Sequence, residues 1–85
     1  MSYELILDNE AIELLQKLEK PLRARIFRKM QSAKEDPYHF FKKLEGRTDF
    51  KMRVGDYRVI ADIDASKKRI EVTCIGHRKN IYKNS

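Results

Sequence analysis

Apolar and polar residues alternate along residues 2–8, SYELILD, where Tyr3, Leu5 and Leu7 are set against Glu4, Ile6 and Asp8. A period of two predicts a strand. The period then changes. Ala11, Ile12, Leu14, Leu15 and Leu18 trace a helical stripe that starts after Asp8-Asn9, a pair suited to an N-cap, with Glu10 in the first turn. Lys20-Pro21 breaks this helix and opens a second, because proline fits a first helical turn. In the second helix Leu22, Ile26, Met30 and Ala33 share one face, with Phe27 beside them, and Asp36-Pro37 ends it. The segment YHFFKKLEGRT (38–48) has no clear period and reads as a connector, anchored on the core by Phe40, Phe41 and Leu44.

Three strands are predicted next, at about 49–54, 57–64 and 69–76. The first two meet at Gly55-Asp56, a two-residue hairpin turn in which glycine takes the first, positive-φ position. That turn sets Val54 opposite Tyr57, Arg53 opposite Arg58, Met52 opposite Val59 and Lys51 opposite Ile60. Met52, Val54, Tyr57 and Val59 therefore share one face, and Lys51, Arg53 and Arg58 the other. A second hairpin through ASKK (65–68) sets Asp64 opposite Arg69, Ile63 opposite Ile70, Ala61 opposite Val72 and Val59 opposite Cys74. Continued without interruption, it places Arg58 against Ile75, with His77 one step beyond on the same outer face. The predicted class is α+β, in the order β-α-α-β-β-β: an antiparallel sheet with a helical hairpin packed on one face, forming one domain over 1–85. The helices cover one side only, leaving the face of Lys51, Arg53, Arg58 and His77 open.

That face is unusual. Like charges directly opposite each other in a sheet cost a fraction of a kcal/mol to about 1 kcal/mol. The net charge of +6 is also unevenly placed: residues 1–41 balance seven Lys/Arg against seven Asp/Glu, whereas residues 42–85 carry twelve against six. Such asymmetry points to a polyanionic partner, nucleic acid before membrane. The second helix adds a basic face of Arg23, Arg25, Arg28, Lys29 and Lys34, which reads either as a solvated face or as one suited to the backbone phosphates of an RNA. The single cysteine allows no internal disulfide, and no apolar run approaches a membrane span, so a cytoplasmic protein is expected.

The candidate chemistry is cationic. No His/Cys/Asp/Glu grouping has metal-ligand spacing, no glycine-rich phosphate loop is present and no paired carboxylates suit hydrolysis, so neither metal nor cofactor is expected. A phosphate between Arg53 and Arg58 would turn their repulsion into two charge-assisted contacts. His77 has the residue type of a general acid or base, and equally that of a polar strand end. Cys74 reads as a small apolar core residue, and Tyr3, His39 and Tyr57 as structural.

The KKLEG segment at 42–46, the strand pair KMRVGDYRV at 51–59 and the ending IGHRKNIY at 75–82, in this order and spacing, resemble the RelE/ParE superfamily of bacterial and archaeal toxins. The resemblance runs over nearly the whole chain. It implies, for the RelE branch, metal-free cleavage of messenger RNA in the ribosomal A site: the ribose 2′-oxygen attacks the adjacent phosphate, leaving a 2′,3′-cyclic phosphate and a free 5′-hydroxyl. The family's catalytic positions match Lys51, Arg53, Arg58, Arg78 and Tyr82; beside them His77 and Lys79 are read from the sequence as further RNA contacts. Arg53 stands where the best-known RelE toxin has lysine, and only three residues separate Arg78 from Tyr82, a shortened tail. Arg58 and Arg78 suit the phosphorane-like transition state. Lys51 or Tyr82 suits the base, given neighbouring cations that favour loss of the proton. The implied partners are mRNA, the ribosome and a RelB-like antitoxin, acidic and partly disordered, bound as a hetero-oligomer. The alternatives are a ParE-type poison of DNA gyrase and an inactive RNA-binding member of the same fold.

Overall fold

In the computed structural model, which describes residues 2–77, the predicted strands and helices form with two additions. Strand β1 (Glu4–Leu7) leads to helix α1 (Asn9–Lys17), which has Glu10 in its first turn and Lys17 in its last, both favourable to the helix dipole. Ala11 and Leu15 are the residues α1 buries. Helix α2 (Lys20–Ala33) has proline in its first turn and buries Ile26, Met30 and Ala33. Phe27 does not join them: it is 47% exposed. Adjacent helical residues lie about 100° apart around the axis, so the neighbour of a buried residue need not share its face.

The connector contains a short helix, α3 (Pro37–Phe40), and a two-residue strand, β2 (Lys42–Lys43). Phe41 and Leu44 are buried and Phe40 packs against the core, as expected of anchors. Strands β3 (Phe50–Val54), β4 (Tyr57–Asp64) and β5 (Arg69–His77) complete a five-stranded sheet in the order β1-β5-β4-β3-β2. The three consecutive strands and β2 pair antiparallel, whereas β1 docks parallel to β5 with Leu5 opposite Ile70 and Leu7 opposite Val72. Turn chemistry dictates the direction of neighbours joined by tight turns; it says nothing about a strand separated from its partner by both helices.

The β3–β4 register is the predicted one at Lys51–Ile60, Met52–Val59, Arg53–Arg58 and Val54–Tyr57, and Gly55 has φ +59°. The β4–β5 register starts as predicted, at Asp64–Arg69, Ile63–Ile70 and Ala61–Val72. Its loop is held by the Asp64 carboxylate, which accepts from the Ser66 hydroxyl (2.7 Å) and from the Ser66 and Lys67 amides (3.0 and 3.1 Å). A bulge at Ile60/Ala61 then changes the parity. Ile60 pairs with Cys74, Val59 with Ile75, Arg58 with Gly76 and Tyr57 with His77. One extra residue exchanges the faces of every side chain beyond it. Two expected placements are thereby corrected. Cys74 leaves the core side, where Ile75 (3% exposed) takes its place, and His77 leaves the cationic face to lie beside Tyr57.

The core lies between the helices and one face of the sheet. Ile26, Met30, Met52, Val59, Ile70 and Val72 are all essentially buried. Each contributes about 1.5–3 kcal/mol by removing apolar surface from water. Ala11, Ala33 and Ala61, with no exposed surface, are the small residues of this layer. Among the described residues no polar or charged residue is fully buried, and no helix is long and apolar enough to cross a membrane.

Candidate functional site

The face of the sheet away from the helices carries the cations, and the hairpin geometry explains their closeness. In a two-residue hairpin the residues flanking the turn, Val54 and Tyr57, exchange backbone hydrogen bonds, so the next pair, Arg53 and Arg58, does not. Pairs of that kind bring their Cα atoms to about 4.5 Å rather than 5.5 Å, and their side chains closer still. Lys51, two residues before Arg53, points the same way, and β2 adds Lys42 directly opposite Lys51. Lys42 was not singled out from the sequence, because a two-residue strand is too short to show a period. Its ammonium leans to the Tyr38 carbonyl at 3.5 Å.

Arg53 is exposed, whereas Lys51 and Arg58 are half-buried. Buried Nε and Nη1 of Arg58 have no hydrogen-bond partner. An unsatisfied donor of this kind costs about 1–3 kcal/mol, and a hydrogen bond to a charged group returns about 1.5–3 kcal/mol. Both exceed the like-charge penalty of the pair. An anion reaching Arg58 therefore outweighs the repulsion that holds the site in readiness.

Helix α2 supplies a second set of cations at the hairpin end. The backbone N–H and C=O of Arg53 point away from β4, and β2 is too short to pair with them. Lys29 Nζ takes up this edge by donating to the Arg53 carbonyl at 2.6 Å. Arg25, one turn earlier on α2, lies over Gly55, its guanidinium 3.8 Å from where a glycine Cβ would stand. Arg53 Nε turns back to the Gly55 carbonyl at 3.3 Å. The five basic residues expected to share one helix face, four in α2 and Lys34 at its C-cap, thus divide. Arg25 and Lys29 join the hairpin, whereas Arg23 lines a shallow groove with Leu15, Lys20, Ala24 and Phe27. Arg28 is exposed, and Lys34 holds β1 through its carbonyl, which accepts from the Tyr3 amide at 2.8 Å.

His77 stacks edge-to-face on Tyr57 at 5.4 Å, on the helix side of the sheet, away from Lys51, Arg53 and Arg58. His39 makes the same contact with Phe40 at 5.0 Å. The Cys74 thiol, half-buried opposite Ile60, is pushed up from its ordinary pKa by desolvation first and by Glu10 second, against the pull of Arg47. That shift disfavours the thiolate and with it a nucleophilic role. Arg78, Lys79 and Tyr82 lie outside the described residues. Among the described residues no three His, Cys, Asp or Glu side chains are grouped to hold a metal ion.

A small antiparallel sheet with a helical hairpin on one side and stacked cations on the other was the pattern that the sequence pointed to. The family comparison decides it: a model of the ParE toxin of type II toxin–antitoxin systems matches residues 5–82. The chain belongs to this family, within the RelE/ParE superfamily of toxins. Solved RelE toxins share the toxin's fold. The archaeal RelE–RelB complex of Pyrococcus horikoshii superposes with a TM-score of 0.81 at 26% identity, over 94% of this chain and 99% of the other. The RelBE toxin–antitoxin complex of Mycobacterium tuberculosis gives 0.81 at 22% identity, over 92% and 100%. A free mutant of the Escherichia coli RelE toxin gives 0.80 at 23% identity, over 96% and 90%. No curated protein matches the toxin.

Proposed function

We propose that this toxin is a ribosome-dependent mRNA endoribonuclease of the RelE type. The observation that carries the reading is Arg58: its Nε and Nη1 are buried without an acceptor, directly opposite Arg53 and beside the Lys51–Lys42 pair. A phosphodiester is the ligand that such a set fits. In the proposed reaction the 2′-oxygen loses its proton to a base and forms a bond to the adjacent phosphorus. The bond from phosphorus to the 5′-oxygen breaks, and a proton is delivered to that oxygen, giving a 2′,3′-cyclic phosphate and a 5′-hydroxyl. Arg58, with Arg78 from the C-terminal segment, stabilises the charge gathering on the non-bridging oxygens. Arg53 holds the neighbouring phosphate, and Lys51 or Tyr82 takes the 2′ proton. His77 is left out of the chemistry because the bulge turns it to the other face. Arg25 and Lys29, with Arg23, Arg28 and Lys34, extend the cationic surface toward ribosomal RNA.

The proposed partner at rest is a RelB-like antitoxin, acidic and partly disordered before it binds, in keeping with the RelE–RelB complexes that share the fold. Co-expression of a neighbouring antitoxin should relieve growth arrest and yield a co-purifying complex.

Primer extension on mRNA held in stalled ribosomes tests the activity. Cuts within the A-site codon that need both the ribosome and the toxin, and that Arg58→Ala abolishes, are the expected result. The match to the ParE model favours one other reading, inhibition of DNA gyrase. Trapped gyrase–DNA cleavage complexes with uncut mRNA would replace the nuclease by that reading.

A further inference from the structure

The outer face of the sheet is not uniformly basic, and its rows can be followed from the hairpin turn toward the opposite end. Arg53, Arg58 and Gly76 form the first row, and Lys42, Lys51, Ile60 and Cys74 the second. Beyond the bulge the sign reverses. Asp62, Glu71 and Ile6 form the third row, and Asp64, Arg69 and Glu4 the fourth. Asp8, just past β1, joins the third row: it is the first cause of an upward shift of the Glu71 carboxyl, through a shared hydrogen bond and repulsion, and Asp62 repels it as well. Arg69 opposes this shift as the smallest of its causes, and its Nε lies 3.5 Å from the Glu4 carboxylate. Asp62, Asp64 and Glu71 border a depression at the far end of the face, lined also by Thr48, Ala65 and the cations Lys67 and Arg69.

We infer that the acidic half of this face is a specificity element: Asp62, Glu71 and Asp8 repel RNA from β4 and β5 beyond Ile60, confining the phosphate backbone to the hairpin end and keeping free single-stranded RNA weakly bound. The inference rests on the nuclease reading for its purpose, though not for its physics. Arg58 and Asp62 are four residues apart on one strand, roughly 13 Å at a strand's rise. The screening length is about 8–10 Å at physiological salt and about 30 Å at 0.01 M. Phosphates on the arginines therefore feel the carboxylates strongly at low salt and little at high salt. A strand crossing the whole face along β4 meets them at close range under any condition. RNA held by the ribosome can be presented across the hairpin end alone, through Arg53 and Arg58 toward Arg25 and Lys29. Free RNA has no such restraint, and most of its approaches place a phosphate over the third row.

The test is fluorescence anisotropy of the full-length chain with a short labelled single-stranded RNA, at low and near-physiological salt. It compares the wild type, Asp62→Asn/Glu71→Gln, and a control, Glu13→Gln/Glu35→Gln, which removes the same charge from exposed positions on the helical side. The sheet variant should bind about fivefold more tightly at low salt, shrinking toward about twofold at physiological salt as the field is screened. The control should move less than half as far. Equal gains in the two variants would overturn the inference, because net charge alone would then explain binding. No gain in either would overturn it too. Ribosome-programmed cleavage by the wild type is scored separately. If it is absent while the sheet variant still outbinds the control, the nuclease reading fails and the repulsion stands.

Discussion

The two faces of strands β3, β4 and β5 are built from the same residues in alternation, yet they follow opposite rules. On the helix side Met52, Val59, Ile70 and Val72 are closed off from water by α1 and α2, and they supply the hydrophobic stabilisation of the fold. On the outer side Arg53 opposes Arg58, Lys42 opposes Lys51, and Asp62 and Asp8 crowd Glu71. At the hairpin end that side sets like charges against each other, and only its far end is arranged for stability, through the Asp64 loop contacts and the Arg69–Glu4 pair. A small domain has only about 5–15 kcal/mol to spare, and this one commits part of it to like charges set opposite each other, which the proposed function would supply with partners. Stability and readiness are thus divided by the parity of the strand.

Substitutions that act on one face at a time should separate these roles. Met52→Ala, at a site with no exposed surface, is expected to lose about 2–5 kcal/mol by urea or thermal unfolding, with any remaining folded protein still active. Arg58→Ala should reverse that pattern. Cleavage is expected to fall by about 100-fold or more, while the melting temperature holds or rises as the repulsion with Arg53 disappears. A destabilisation by Arg58→Ala as large as that of Met52→Ala would erase the distinction between the faces.

Gly55→Ala lies between these extremes. The positive φ of Gly55 makes a side chain cost about 1–2 kcal/mol, although the nearest Arg25 atoms leave room for a methyl group. Because the turn aligns Arg53 with Arg58, activity should fall further than the loss of stability accounts for. Comparing cleavage at a temperature where both proteins are fully folded isolates that second effect.

The smallest effect concerns pH, and its sign differs between two carboxylates of the acidic half. Glu71 is held above the ordinary glutamate range, chiefly by Asp8, so the folded state keeps its proton to higher pH than the unfolded chain does. Its contribution is therefore full at acid pH and is lost as pH rises through the folded pKa. Asp64 is held below the ordinary range, chiefly by the Ser66 hydroxyl, so its contribution is present at neutral pH and is lost as pH falls through its folded pKa. Glu71→Gln should raise the melting temperature slightly at pH 7, with the gain vanishing below about pH 4. Asp64→Asn should lower it at pH 7 and leave little difference in acid. Melting curves across that range check both signs.

Much of the geometry of the candidate site was legible before the fold was known. The pair Arg53–Arg58 and its neighbour Lys51 followed from one glycine and a period of two, since a two-residue turn leaves no freedom of register. His77 and Cys74 were assigned to the wrong faces because the bulge between them and the turn leaves no local mark in TCIGH. Lys42 was missed for want of a periodic segment around it. The convergence of Arg25 and Lys29 on the hairpin depends on how α2 crosses the sheet edge, a contact between residues more than twenty positions apart.

The sequence by itself determined strands β1, β3, β4 and β5, helices α1 and α2 and the β3–β4 register, along with the apolar rows that became the core. These depend on local quantities: the φ of a turn residue, the placement of proline, and the alternation of side chains along an extended chain. Tertiary structure alone decided that β1 would close the far edge of the sheet parallel to β5. It also decided that a bulge would exchange the faces of β5 and that α2 would lend two cations to the hairpin. Each of these is a choice among distant partners, settled by which surfaces must be buried together, and no window of neighbouring residues contains it.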